Sequence, residues 1–260
     1  MLQAKNPLLD FSGLPRFADI RPEHVAPAVD QLLAEGRQAV ADAAKAPATW
    51  DEFVSPLEDA NERIGRAWGQ VAHLHAVLDT PPLREAYNAS LPKITQYFTE
   101  LGQDQRLFEK YKALRDAPEY ETLSGARKRI VENALRDFRL GGADLPADKK
   151  KRYAEIQEEL ARLSAKFSEN VLDATNAFTI YVEEARRSGI PEDVRQAARE
   201  AAETDGKKGW KFTLHAPSYL PVLQYADDRA LRETLYRESV TRASEFGKPE
   251  WDNSAHIARI

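Results

Sequence analysis

The chain has no cysteine, one methionine and twelve glycines in 260 residues. Without cysteine there are no disulfides, no thiol nucleophile and no thiolate metal site. It also lacks a long apolar run. No stretch approaches the roughly 18 consecutive apolar residues of a membrane span, and Met1 to Pro15 lacks the basic-then-apolar pattern of a secretory signal. The expected location is therefore the cytoplasm, with no membrane partner. Excess positive charge is missing too: 37 Lys and Arg face 42 Asp and Glu, a net charge of -5. A basic face is the usual footprint of nucleic-acid binding, so no nucleic-acid partner is expected. The glycines form neither a Gly-x-x-x-x-Gly-Lys-Ser/Thr loop nor a Gly-x-Gly-x-x-Gly turn, and no Gly-x-Ser-x-Gly elbow occurs.

What is present is helical periodicity. The hydrophobic share of 42% is ordinary for a globular chain and sufficient for a core. Arg21 to Lys45 places Val25, Val29, Leu32, Leu33 and Val40 on one face. Pro22 suits a first turn there, and Pro27 is expected to kink or restart the helix. Ser55-Pro56-Leu57-Glu58 reads as a capping box, opening a helix striped by Leu57, Ile64, Trp68, Val71 and Leu78. A third helix follows Thr80-Pro81-Pro82, a short fourth carries Leu107, Phe108, Tyr111 and Leu114, and a fifth runs from about Glu119 to Leu140, ending at Gly141-Gly142. The sixth, opened by Pro146, carries Tyr153, Ile156, Leu160, Leu163, Phe167, Val171, Ala174 and Phe178 at steps of three and four. Such a helix is about 45 Å long, and only other long helices would hide its stripe.

At Phe178 the period changes. Phe178 to Val182 is β-branched and aromatic, and Trp210, Phe212 and Leu214 alternate within Gly209 to His215. Both read as strands, separated by a polar helix from Pro191 to Glu203. Pro217 to Pro221 reads as a turn into a short helix, and Asp228 to Phe246 as a helix with Leu231, Leu235 and Val240 inward. The expected fold class is mainly α, with long antiparallel helices and one small antiparallel β element around 178–217. Two regions are expected, 1–143 helical and 144–260 holding the long helix, the β element and further helices, with Gly141 to Pro146 as the hinge. Asp252-Asn253-Ser254 looks like a cap for a helix that Ala255 to Ile260 begins, so the chain reads as the front of a longer polypeptide.

The five histidines, His24, His73, His75, His215 and His256, offer no His-Glu-x-x-His pair. His73 and His75 lie about 200° apart on a helix and cannot share a metal. His24 reads as a local cap, His75 as a hydrogen-bonded core histidine, and His215 as a strand-end residue able to face a cleft. Lys149-Lys150-Lys151-Arg152 opens a helix where the dipole disfavours cations, and reads as an exposed patch. The residues themselves thus assign no catalytic, cofactor-binding or metal-binding position.

Several stretches, in order along the chain, resemble the N-terminal part of the thimet-oligopeptidase family of zinc metallopeptidases. They include Asn6-Pro7-Leu8-Leu9, Ile20-Arg21-Pro22-Glu23-His24-Val25, Leu83-Arg84-Glu85-Ala86-Tyr87 and Asn133-Ala134-Leu135-Arg136-Asp137-Phe138. Further on come Asn170-Val171-Leu172-Asp173-Ala174-Thr175, Pro217-Ser218-Tyr219-Leu220-Pro221 and Trp251-Asp252-Asn253-Ser254. The resemblance implies a neurolysin-like helical wall of a deep channel that admits short peptides. It also implies a zinc cofactor in the intact protein, with ligands in a C-terminal catalytic half and none in this chain. That half would be the chain's natural partner, and apolar surface left without it would favour self-association. The rival reading is a free-standing helical module that binds peptides or proteins without catalysis.

Overall fold

The structure, a computed structural model, describes residues 6–260. Helix α1 (Pro22–Ala43) starts where Pro22 fixes a helical φ. There the Nδ1 atom of His24 accepts the Arg21 N–H at 3.0 Å. The expected capping role of His24 is thus realised. The helix runs through Pro27 without a restart. A five-residue π-helical segment, Trp50–Val54, leads into α2 (Ser55–Val77). Ser55 is therefore already helical and caps nothing. The start lies upstream, where the Thr49 side chain accepts the Glu52 N–H at 3.3 Å and the Glu119 carboxylate accepts the Trp50 N–H at 2.9 Å. Both satisfy amides that the first turn leaves without a helical partner.

Helix α3 (Pro81–Gly102) and α4 (Gln105–Asp116) follow. The expected fifth helix is two elements, α5 (Pro118–Thr122) and α6 (Gly125–Leu140). Leu123 and Ser124 are extended between them. The Ser124 hydroxyl accepts the Arg127 N–H at 3.3 Å, which caps α6. Helix α7 (Ala147–Ala177) has 31 residues.

Beyond α7, β1 (Ile180–Val182) pairs antiparallel with β2 (Trp210–Phe212), aligning Ile180 with Phe212 and Val182 with Trp210. Gly209 enters β2 at φ +94°, and a Cβ there would lie 2.3 Å from the Val182 carbonyl oxygen. Only glycine fits such a position. Between the strands lies α8 (Glu192–Thr204), and after them α9 (Ala216–Tyr225), α10 (Arg229–Thr241) and α11 (Ser254–Arg259). The expected helix to Phe246 stops at Thr241, because Arg242 is extended and Ala243 is left-handed at φ +51°. Val240, expected inward, is exposed; Leu231 and Leu235 are fully buried as expected.

The chain divides into two compact units, one running to Arg162 and one covering Leu163–Ile260, so the division falls inside α7. In the first unit, Val29, Leu32 and Leu33 of α1 pack with Ile64 and Val71 of α2 and Ile94 and Tyr97 of α3. Gly36 allows this approach: a Cβ there would lie 2.7 Å from both the Ile64 Cδ1 and the Tyr97 hydroxyl. A second cluster joins Trp50, Phe53, Leu57, Phe108, Tyr111 and Phe138. In the second unit, Val182, Phe212, Val222, Leu231 and Leu235 form the core beneath the hairpin.

Candidate functional site

The histidines are dispersed. His24 caps α1, and the His73 ring lies 5.1 Å from that of Phe17. His75 is buried and lies parallel to Tyr87 at 4.1 Å, with Trp68 stacked on the same tyrosine at 4.7 Å. The His75 Nε2 atom lies 3.3 Å from Asp79, whose other carboxylate oxygen accepts Arg84 Nε at 2.9 Å. This is a core histidine held by rings and a carboxylate. His215 is exposed at the N-terminus of α9. Among the described residues, no group of three His, Cys, Asp or Glu side chains could hold a metal ion. A zinc centre needs at least three such ligands, so these residues do not fit one. The 149–152 run is exposed except at Lys150, which donates to the Gln103 carbonyl at 3.0 Å while the Gln103 amide donates to the Lys150 carbonyl at 3.2 Å.

Two stretches that carry the family resemblance meet in the second unit. The Asn170 side-chain amide donates to Asn253 Oδ1 at 2.9 Å, and the Asn253 amide donates to the Phe167 carbonyl at 3.1 Å. Both asparagines are buried. Within the expected Asp252-Asn253-Ser254 cap, Asn253 occupies the N-cap position of α11 but its side chain makes no capping hydrogen bond. The Asp252 carboxylate, one residue earlier, accepts the Ser254 N–H at 2.9 Å. The asparagine pair ties α7 to the chain entering α11, which buries no residue of its own.

Two cavities differ in chemistry. In the first unit, an apolar cleft of about 440 Å³ has Leu57, Leu101, Tyr111 and Phe138 in its walls, with Glu58 and Asp137 among the lining residues. The Tyr111 hydroxyl donates to Glu58 at 3.2 Å. Burial, and then the neighbouring Glu58 charge, push the Tyr111 phenol well above its ordinary range. It therefore remains a donor. Nearby Tyr97 donates to Asn61 at 2.7 Å, and burial pushes its phenol up to about 12. In the second unit, a cavity of about 590 Å³ is lined by charge, with Arg187 over the Trp210 ring at 4.9 Å and paired to Glu184 at 2.7 Å. The hydrogen bond from Arg187 holds the Glu184 carboxyl below its usual range. Neither cavity presents a nucleophile with an adjacent base. Both are suited to binding and orienting, one for apolar groups and one for charged groups.

Comparison with known proteins settles the lineage. Residues 29–150 match the family described as Neurolysin/Thimet oligopeptidase, N-terminal domain. The chain is 46% identical to Oligopeptidase A of Haemophilus influenzae over all of its own length and 39% of that protein's. This chain corresponds to the N-terminal part of the oligopeptidase A family. Identity is 45% to Oligopeptidase A of Salmonella typhimurium, covering 98% of this chain and 38% of that protein. It is 37% to Probable cytosolic oligopeptidase A of Arabidopsis thaliana, covering 99% of this chain and 38% of that protein. The chain thus spans 38–39% of the length of these three relatives. Among its described residues, no helix is long and apolar enough to cross a membrane. The Asn170–Asn253 junction and the Tyr111–Glu58 contact escape a reading of the sequence. The one available signal is a polar residue, Asn170, set among the apolar positions of a long helix.

Proposed function

We propose that this chain is the channel-wall portion of a cytoplasmic, zinc-dependent oligopeptidase that hydrolyses short peptides, and that it is inactive alone. The observation that carries the reading is the match to Oligopeptidase A along the whole chain at 46% identity. The zinc would belong to a C-terminal catalytic half, since the described residues do not fit a zinc centre. No chemical step is assigned to residues of this chain. Their part is to bound the space in which a short peptide binds.

The same reading gives the exposed apolar residues of α7, together with Ile257 and Ile260, a purpose. Ile156 is 44% exposed, Ile257 62% and Ile260 58%. Apolar surface costs about 25 cal/mol per Å² when left in water, so a covering partner would recover that energy. We assign that role to the catalytic half, with self-association of the chain as the outcome when the half is absent.

Metal analysis after dialysis, together with a fluorogenic-peptide assay on the purified 260-residue chain, tests the assignment. The expected result is zinc far below one equivalent and no peptide cleavage. Tight stoichiometric zinc, or zinc-dependent cleavage, would overturn it. Sedimentation and ANS fluorescence test the exposed face. Concentration-dependent dimers or dye binding are expected, whereas a clean monomer that binds no dye would point to the free-standing module.

A further inference from the structure

The first unit's cleft goes beyond that reading, because what it binds depends on neither zinc nor hydrolysis. Its walls come from α2, α3, α4, α6 and Tyr153 of α7, and they enclose about 440 Å³. That volume lies in the range of small-molecule sites. Gly141 lets the ends of α3 and α6 meet beside it. A Cβ on Gly141 would lie 2.9 Å from the Gly102 carbonyl oxygen and 3.1 Å from that of Asp137, so a side chain there would push the two helix ends apart. The walls are apolar and aromatic, yet the lining includes two carboxylates, Glu58 and Asp137, and not one Lys, Arg or His. The one cation recorded against these carboxylates is Arg136, outside the lining and paired with Asp137 at 2.8 Å.

Both carboxylates belong to exposed residues that line the cleft, and each keeps one oxygen outside its recorded contact. Buried Tyr111 fixes one oxygen of Glu58 by donating to Oε1 at 3.2 Å, leaving Oε2 to accept. Asp137 meets Arg136 through Oδ1 alone, at 2.8 Å, leaving Oδ2. An apolar cavity with two such acceptors is complementary to a group that is apolar in body and positive at one end. We propose that this cleft binds an amphipathic cation: an aromatic or aliphatic group carrying an ammonium, as found at a hydrophobic residue with a free amino terminus or in a free arylalkylamine.

The test uses the full 260-residue chain and a matched pair of probes, phenethylamine and the neutral 2-phenylethanol, followed by amide NMR shifts. The amine is expected to shift residues of the cleft and to bind about fivefold tighter than the alcohol at low salt, a preference that shrinks as salt rises. Glu58→Gln and Asp137→Asn should each lose part of that preference. The double variant should abolish it while leaving alcohol binding and the melting temperature unchanged. Ala134→Phe, which fills the cleft, should abolish binding of both probes. Phenylalanyl-alanine amide and its N-acetylated form separate the two sources. A preference for the free amino terminus marks a peptide ligand, and a preference confined to phenethylamine marks a free amine. Three results would overturn the proposal: no shifts in the cleft, equal affinity for amine and alcohol, or a preference that survives the double variant.

Discussion

Helices α1 and α7 carry the same kind of apolar stripe and meet different fates. In 22 residues α1 buries seven: Val25, Ala28, Val29, Leu32, Leu33, Gly36 and Ala43. In 31 residues α7 buries four, and two of those, Glu169 and Asn170, are polar. The period of about 3.6 that makes both sequences helical is a local property. Cover is a tertiary one, supplied to α1 by α2 and α3 at close range through Gly36. A stripe therefore identifies a helix without saying that it is packed.

The contrast can be broken most directly by truncating equivalent stripe positions. Leu33→Ala in α1 should cost about 3 kcal/mol, the transfer and cavity cost of a buried leucine. Ile156→Ala in α7 should stay within about 0.5 kcal/mol, as for an exposed site. Urea unfolding of the two variants checks both, and equal losses would erase the distinction. Next in size, Asn253→Ala should cost about 2 kcal/mol, the penalty for stranding buried polar groups. The group left without its partner is the Asn170 amide, while the Phe167 carbonyl, inside α7, loses only its second hydrogen bond. Hydrogen exchange should place that loss in α11 and the end of α7, leaving α1 unaffected.

Smallest is Asp228, the N-cap of α10, which accepts the Leu231 N–H at 3.0 Å and Arg186 Nε at 2.5 Å. Its replacement by alanine should cost about 1 kcal/mol. The Arg186 hydrogen bond, then the Leu231 N–H, hold the Asp228 carboxyl below its usual range. A depressed folded-state value stabilises the fold above the unfolded aspartate value, about 3.9, and that contribution is lost as pH falls through the lower folded value. The urea midpoint should therefore fall less steeply below about pH 4 in Asp228→Asn than in the parent chain.

The helical class, the β element near 178–217 and the Asp228 start of α10 were legible in the sequence because each rests on neighbours within a turn or on a period. Ser55 misled because a capping pattern does not exclude an earlier start, and Thr49 with the distant Glu119 supplies one. The β-branched run ending at Val182 and the alternation of Trp210, Phe212 and Leu214 were readable, although β2 itself stops at Phe212; the register that sets Val182 against Trp210 was not. The cleft was hidden for the same reason as the asparagine pair. Tyr111 and Glu58 stand 53 residues apart, and Asn170 and Asn253 stand 83 apart. No local pattern announces such meetings, which depend on where whole helices settle.

Amide hydrogen exchange on the isolated chain, comparing Val25–Gly36 of α1 with Asp148–Leu160 of α7, tests the claim that cover rather than pattern separates these helices. The account predicts that the α1 amides exchange only through unfolding of the first unit, while those of α7 exchange at least about tenfold faster through local opening. Equal protection in the two segments would contradict it.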